Sequence, residues 1–366
     1  MKIKIDRDIL NNKINLVLKA VASKGTMPIL EYILLTANSS GFKMLSNDLK
    51  LSIETNFIEC DVIEMGVIAL EAKYFSEIIK KLPSGILTLE VIDNDVKITS
   101  GKVKINFKGL EGDDFPSIPD VLEHNTLTLS AKDFNELIKK TIFSVAQDDS
   151  KPILTGELFE ISNNTLKVVA VDGFRISFGL KNIDKNEDFS VVIPEKPLKE
   201  ISKIFATEND LSIKMIFSNS FVKFVTEECT IVSRLLEGDF IKFNQLFIDS
   251  YKTKVICKRS DIKDALERTL LIVRDAKRVP VKFSIKDSYI ELTSNTENGN
   301  FFEEVSILFE GDDLDIGFNP KYVIDILNAI DCEEVSFEFT NNLSPCIIKG
   351  IDNDDFKYIV LPLRIE

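Results

Sequence analysis

One amphipathic pattern occurs three times along the chain, and it limits the fold more than any other feature. Residues 72–82 hold Lys73 and then Phe75, Ile78, Ile79 and Leu82 at i, i+3, i+4 and i+7. That spacing lays an apolar stripe along one face of a helix. Residues 320–331 repeat it with Lys321, Val323, Ile326, Leu327 and Ile330, and residues 194–205 with Lys196, Leu198, Ile201 and Phe205. Lys73, Lys196 and Lys321 stand 123 and 125 positions apart, about one third of the 366 residues. A lone helix of this kind would mean a core-facing element. Three copies at this period mean three versions of one domain.

The intervals between the copies agree. Residues 7–22, 133–145 and 261–273 read as helices. Asp261, Ile262, Leu266, Arg268 and Thr269 align without a gap on Asp133, Phe134, Ile138, Lys140 and Thr141, 128 positions earlier. Pro28, Pro152 and Pro280 recur at a similar period, and Glu111-Gly112-Asp113 and Glu237-Gly238-Asp239 close the first two copies. Residues 1–5 alternate as an edge strand does. Residues 88–107, broken at Asp93-Asn94-Asp95 and Ser100-Gly101, alternate as half-buried antiparallel strands do. Each copy is therefore helix, strands, helix, strands. The expected fold is α+β, with three repeated domains of antiparallel sheets and two helices each, spanning residues 1–125, 126–252 and 253–366.

Composition excludes several classes. No apolar run approaches a membrane span, and no basic-then-apolar signal opens the chain. Cys60, Cys229, Cys257, Cys332 and Cys346 are scattered without CxxC spacing, an odd set that fits a reducing cytoplasm. No GxxxxGK(S/T) loop is present, and no GxGxxG follows a strand. His124 is the only histidine, too little for a His-rich metal site or a Ser-His-Asp triad. Gly311-Asp312-Asp313 and Asp352-Asn353-Asp354-Asp355 lack the glycine and the later acidic residue of a calcium loop, so they read as solvated turns. No metal or cofactor is expected. Net charge is −14, yet six helical segments together carry +7, which leaves −21 on the rest. Either surface lysines scatter by chance, or a basic face sits inside an acidic body.

Two stretches could build a site. Residues 166–171 form an apolar run that ends in Asp172-Gly173-Phe174-Arg175. This is either a hairpin turn with Arg175 on the surface or a pocket wall that offers a ring and a guanidinium to a peptide. The C-terminal Val360-Leu361-Pro362-Leu363-Arg364 is apolar for a terminus and is expected to dock, where it could floor such a pocket.

Taken in order, the threefold repeat, Thr26-Met27-Pro28-Ile29-Leu30, Ala170-Val171-Asp172-Gly173-Phe174-Arg175, Ile316-Gly317-Phe318-Asn319-Pro320 and Leu361-Pro362-Leu363-Arg364 resemble one family across essentially the whole chain. That family is the β sliding clamp, the β subunit of bacterial DNA polymerase III. The resemblance implies a cytoplasmic processivity factor without catalysis: a homodimer whose six similar domains close head to tail around duplex DNA of any sequence. It also implies DNA-facing roles for Lys24, Lys73, Lys151, Lys196 and Asn319. Dimer contacts are implied for Ile105 and Phe107 on an edge strand and for Ile272 and Val273 on the partner face. A peptide pocket is implied at Leu154, Val171, Gly173, Phe174, Arg175, Ile176, Leu246, Pro345, Val360, Leu361, Pro362, Leu363 and Arg364. The replicative polymerase α subunit, the clamp loader, and repair and translesion polymerases would dock linear motifs there. The chain departs from the family pattern at Ile241, commonly proline, at Gln245, arginine in some members, and at Val171, frequently threonine. These departures bear on the polar rim of the pocket. Two other readings remain: a peptide-binding scaffold of the same fold that does not encircle DNA, and a metal-dependent hydrolase built on the acidic turns.

Overall fold

The computed structural model describes every residue except 23–26, 149, 186, 207–210, 248–249, 274–279, 298, 352 and 366. Three runs of the chain share one order of elements. The first holds β1 (Lys2–Asp6), α1 (Arg7–Val17), β2 (Tyr32–Asn38), β3 (Gly41–Asn47), β4 (Leu51–Thr55), β5 (Asp61–Glu64), β6 (Gly66–Glu71), α2 (Ala72–Lys81), β7 (Ile86–Ile92), β8 (Asp95–Ser100) and β9 (Val103–Lys108). The second holds β10 (Asn125–Ser130), α3 (Ala131–Thr141), β11 (Gly156–Ser162), β12 (Thr165–Val171), β13 (Arg175–Asn182), β14 (Phe189–Pro194), α4 (Glu195–Ile204), β15 (Ser212–Phe217), β16 (Phe221–Val225) and β17 (Cys229–Arg234). The third holds β18 (Thr253–Lys258), α5 (Arg259–Val273), β19 (Val281–Lys286), β20 (Tyr289–Thr296), β21 (Gly299–Ser306), β22 (Leu308–Gly311), β23 (Leu314–Phe318), α6 (Pro320–Ala329), β24 (Glu334–Phe339), β25 (Cys346–Gly350) and β26 (Phe356–Val360).

The helices start where a side chain can take up free amide groups. Asp6 accepts from the backbone N–H of Asp8 and Ile9 at 2.8 and 3.2 Å, and Glu71 caps α2 through the amides of Lys73 and Tyr74. α1 and α3 end earlier than their apolar stripes suggest, each in a short 3-10 turn, Leu18–Ala20 and Ile142–Ser144. The reason is the same in both. The amide of Ala22 donates to the carbonyl of Leu30, and that of Ala146 to Leu154, so the chain must leave the helix to reach the next strand.

All paired strands are antiparallel. They form sheets of five (β5-β1-β7-β8-β9), eight (β10-β15-β16-β17-β4-β3-β2-β6), nine (β14-β11-β12-β13-β26-β25-β24-β18-β22) and four strands (β21-β20-β19-β23). β1 is not the edge strand that its alternation suggests, because β5 returns to cover its outer side. By internal packing the chain groups into two compact units: residues 1–132 with 200–235, and residues 133–199 with 236–366. The second repeat is shared between them, since β17 pairs with β4 in the first unit and β13 pairs with β26 in the second. In the first unit Phe42, Phe75, Phe217 and Phe224 are fully buried; in the second, Phe134, Phe159, Phe283, Phe318, Phe337 and Phe339 are.

Candidate peptide cleft and strand edges

The second unit contains the stretches that the sequence marks as a site. β12 and β13 form a hairpin in which Val171 faces Ile176. Asp172 turns it: its Oδ1 accepts from the amides of Phe174 and Arg175 at 2.9 and 3.0 Å, and Gly173 takes φ +91, which costs glycine nothing. β26 lies against β13, so the end of the chain is held in the nine-stranded sheet, and Leu361 N–H donates to Phe174 O at 2.8 Å. Leu363 then bonds Gly317 O at 2.8 Å. A Cβ on Gly317 would lie 2.6 Å from Ile365 and 2.9 Å from Leu363 O, so glycine there is what lets the tail dock.

Leu154, Val171, Ile176 and Ile359 form one buried apolar cluster with Leu158, Val169, Val192 and Phe243. Phe178 packs on it and meets the rings of Phe243 and Phe247 at 6.2 and 5.3 Å. Above this floor Leu246 and Leu361 are each 39% exposed and Phe174 is 50% exposed. Gly173 and Arg364 are exposed, Pro345, Pro362 and Leu363 are half-buried, and Val360 is buried opposite Arg175. Gln245 is exposed beside Leu246. Reading the sequence missed Phe243, Phe247, Phe178 and the exposed Leu343 near Pro345. The density of phenylalanine after Glu237-Gly238-Asp239 was the available signal.

Arg175 corrects an expectation. It does not offer its guanidinium at a rim. Only 8% of the residue is exposed, and every arm of the fork is used: Nε to Asp172 Oδ2 at 2.9 Å, Nη1 to Asp325 Oδ2 at 2.7 Å and Nη2 to Phe143 O at 2.8 Å. Its cation lies 4.6 Å from the ring centre of Tyr322, and that ring stacks on Phe174 at 6.0 Å. Burial, with Asp172 nearby, raises the Tyr322 phenol. A planar cation between two carboxylates is better satisfied inward than in solvent. Arg175 thus ties the hairpin to α6 and holds Phe174 from below.

The remaining residues fall at helix starts and strand edges. Lys73 and Lys196 are exposed in the first turns of α2 and α4, and Lys151 is exposed just ahead of the 3-10 turn Pro152–Thr155. Asn319 caps α6, its Oδ1 accepting from Lys321 N at 3.0 Å. Lys24 lies outside the described residues. β9 is an edge of the five-stranded sheet. Its Ile105 and Phe107 are half-buried, and the Phe107 ring meets Tyr74 edge-on at 5.6 Å. β21 is an edge of the four-stranded sheet, covered by α5. Ile272 is half-buried, whereas Val273 is only 7% exposed and already spent on its own core; Leu271, at 74%, is the open residue of that turn. Among the described residues, no group of three or more His, Cys, Asp or Glu could hold a metal ion, and no helix is long and apolar enough to cross a membrane.

Comparison with known proteins agrees over the full length. The N-terminal, central and C-terminal domains of the DNA polymerase III β subunit match residues 1–119, 128–242 and 244–364. The β sliding clamp of Bacillus subtilis is 33% identical, with 100% of both chains covered. A DNA polymerase III β subunit from Eubacterium rectale superimposes with a TM-score of 0.96 at 39% identity, covering all of both chains. The sliding clamp of Pseudomonas aeruginosa, solved bound to griselimycin, does so at 0.95 and 25% identity, again covering both chains. Matched in all three repeats and along its whole length, the chain belongs to the bacterial β sliding clamp family, the non-catalytic processivity subunit of DNA polymerase III.

Proposed function

We propose that two copies of this chain close head to tail, β9 of one protomer pairing antiparallel with β21 of its partner, into a ring that duplex DNA threads regardless of sequence. The carrying observation is a register that recurs inside the chain. Leu110, Leu236 and Leu363 bridge Ala69, Val192 and Gly317, each three residues ahead of the second helix of its repeat, so the three leucines are equivalent. Glu54, Phe178 and Phe302 are likewise equivalent, as partners of Leu45, Val169 and Thr293. In the first junction Cys229, seven residues before its leucine, faces Thr55; in the second Phe356, seven before its own, faces Gly179. These are the same pair. Among the described residues, only β9 and β21 hold these positions with no strand beside them.

Carrying the register over sets Val103 opposite Glu303, Ile105 opposite Phe301, Asn106 opposite Asn300 and Phe107 opposite Gly299. The last pair has a physical logic. A Cβ on Gly299 would come 4.0 Å from Ile272 Cδ1, so the bare glycine leaves room for the Phe107 ring to pack toward Ile272. Pairing also removes two open strand edges, a known aggregation liability. The test is an Asn106→Cys, Asn300→Cys double variant. Facing Cα atoms in an antiparallel pair lie about 4.5–5.5 Å apart, within disulfide range. Oxidation is expected to give a covalent dimer, while Lys104→Cys with Asn300→Cys, two residues out of register, gives little. Equal cross-linking of both pairs would refute the register.

In this ring Lys73, Lys151, Lys196 and Asn319 face the DNA. The cleft of Leu154, Ile176, Leu246, Leu361 and Phe174 takes extended apolar peptides from the polymerase α subunit, the clamp loader and repair polymerases, in the cytoplasm. The griselimycin-bound Pseudomonas aeruginosa clamp supports a ligand cleft on this fold. We keep the domain limits near residues 125 and 252, where β10 and β18 open the second and third repeats.

A further inference from the structure

One buried group plays no part in the ring or the cleft. Ile33, Glu157 and Val281 are equivalent in the three repeats: they face Leu70, Ile193 and Phe318, each two residues ahead of the second helix. All three are fully buried. Two are aliphatic, as a position under packed helices should be; the third is a carboxylic acid. Among the described residues, neither oxygen of Glu157 has a hydrogen-bond partner. The charged groups that face it are Glu195 and Lys199, both in α4, and Lys199 is already paired with Glu195. α3 presents Thr141, whose hydroxyl donates to Leu137 O at 2.7 Å and so has no proton left to offer. Thr141 can only accept, and Glu157 can use it only by carrying a proton.

We propose that Glu157 is a proton-dependent latch between β11 and the helix pair α3–α4: neutral, it lets the helices close on the sheet, and ionised, it forces that region to open. Burial, aided by Glu195 and opposed by Lys199, pushes the carboxyl up to about 8, from an ordinary 4.5 once the region opens. The closed state therefore holds a proton that the open state gives up between those two values. Closure is complete in its advantage below about 4.5, loses it roughly tenfold per pH unit as pH rises toward 8, and changes little above. The latch thus works across the physiological range and sits under α4, the helix that carries Lys196.

The experiment is hydrogen exchange of α3, α4 and β11 amides in the full-length protein at pH 6, 7 and 8, corrected for the intrinsic rise in exchange with pH. Wild type is compared with Glu157→Gln, which keeps the shape but cannot ionise, and with Glu157→Val, the side chain of the third repeat. Protection in wild type is expected to fall about 50-fold between pH 6 and 8 relative to Glu157→Gln. Glu157→Val should be flat with pH and better protected than wild type at pH 8. Parallel pH profiles for wild type and Glu157→Gln would overturn the latch, whether or not the valine variant folds.

Discussion

Arg175 separates two accounts of the cleft. If the guanidinium is a structural tie, Arg175→Ala should act first on stability. The change removes three charged hydrogen bonds of 2.7–2.9 Å, leaving Asp172 with only its backbone donors and taking the guanidinium from Asp325 and the Phe143 carbonyl. Breaking a buried ion pair from one side costs about 3–5 kcal/mol. The Asp172 side chain is 13% exposed and Asp325 28%, so water recovers part of the loss at Asp325, and about 3 kcal/mol is expected. In a unit of about 200 residues that is a fall of roughly 6–12 °C in Tm. Arg175→Lys keeps the charge but not the fork, and should lose about half as much. The assay is thermal melting followed by calorimetric titration of an apolar polymerase-tail peptide at a temperature where both variants are folded. Peptide affinity should change less than the Tm shift suggests, because Phe174 and the Leu361 backbone form the rim. An Arg175→Ala protein that melts with wild type yet no longer binds would return the guanidinium to the pocket wall and refute the reasoning.

Leu361→Ala should weaken the same peptide by about ten- to hundredfold, roughly 1–3 kcal/mol for a lost apolar contact, without changing oligomeric state. Gln245→Ala, on the wet rim, should change it by less, and unchanged binding by Leu361→Ala would place the peptide elsewhere. Protein closed on nicked circular DNA should persist in high salt and be lost on linearisation; equal loss from circles and linear DNA would exclude encirclement, since phosphate contacts weaken with salt whatever the DNA ends.

The threefold repeat, both helices of each copy and the Asp172-Gly173 turn could be read directly, because period and turn chemistry are local. Three things could not. β1 looked like an edge because alternation reports one buried face and says nothing about how many neighbours a strand has. Arg175 looked exposed because its acceptor Asp325 lies 150 positions away. The division into two compact units was hidden because β17·β4 and β13·β26 join repeats through backbone bonds, which leave little trace in side-chain pattern. Glu157 was passed over for a related reason. Its neighbours alternate normally, and only the strand register, which sets it beside Ile33 and Val281, shows that an acid occupies an aliphatic position.

The charge on the helices also reads differently in three dimensions. The +7 counted along the helical segments left open either scattered lysines or a basic face. In the first unit, however, Lys13 is paired with Glu228 and Lys19 with Glu200. In the second, Lys140 is buried between Glu136 at 2.8 Å and Asp331 at 3.0 Å and lies over the Phe356 ring at 4.5 Å. Burial alone would lower its pKa, but the two carboxylates outweigh that and raise it. Lys263 with Glu267, and Arg268 with Glu303, are paired as well. Each phosphate that a cation neutralises adds about 0.9 to the slope of log affinity against log salt, and a cation already paired must first give up its partner. The proposed ring would therefore meet DNA with fewer effective charges than its helices carry. A weak grip is a poor way to stay on DNA and a good way to move along it, since no deep well fixes any one position. Retention must then come from closure, which places the burden of processivity on the β9 and β21 edges.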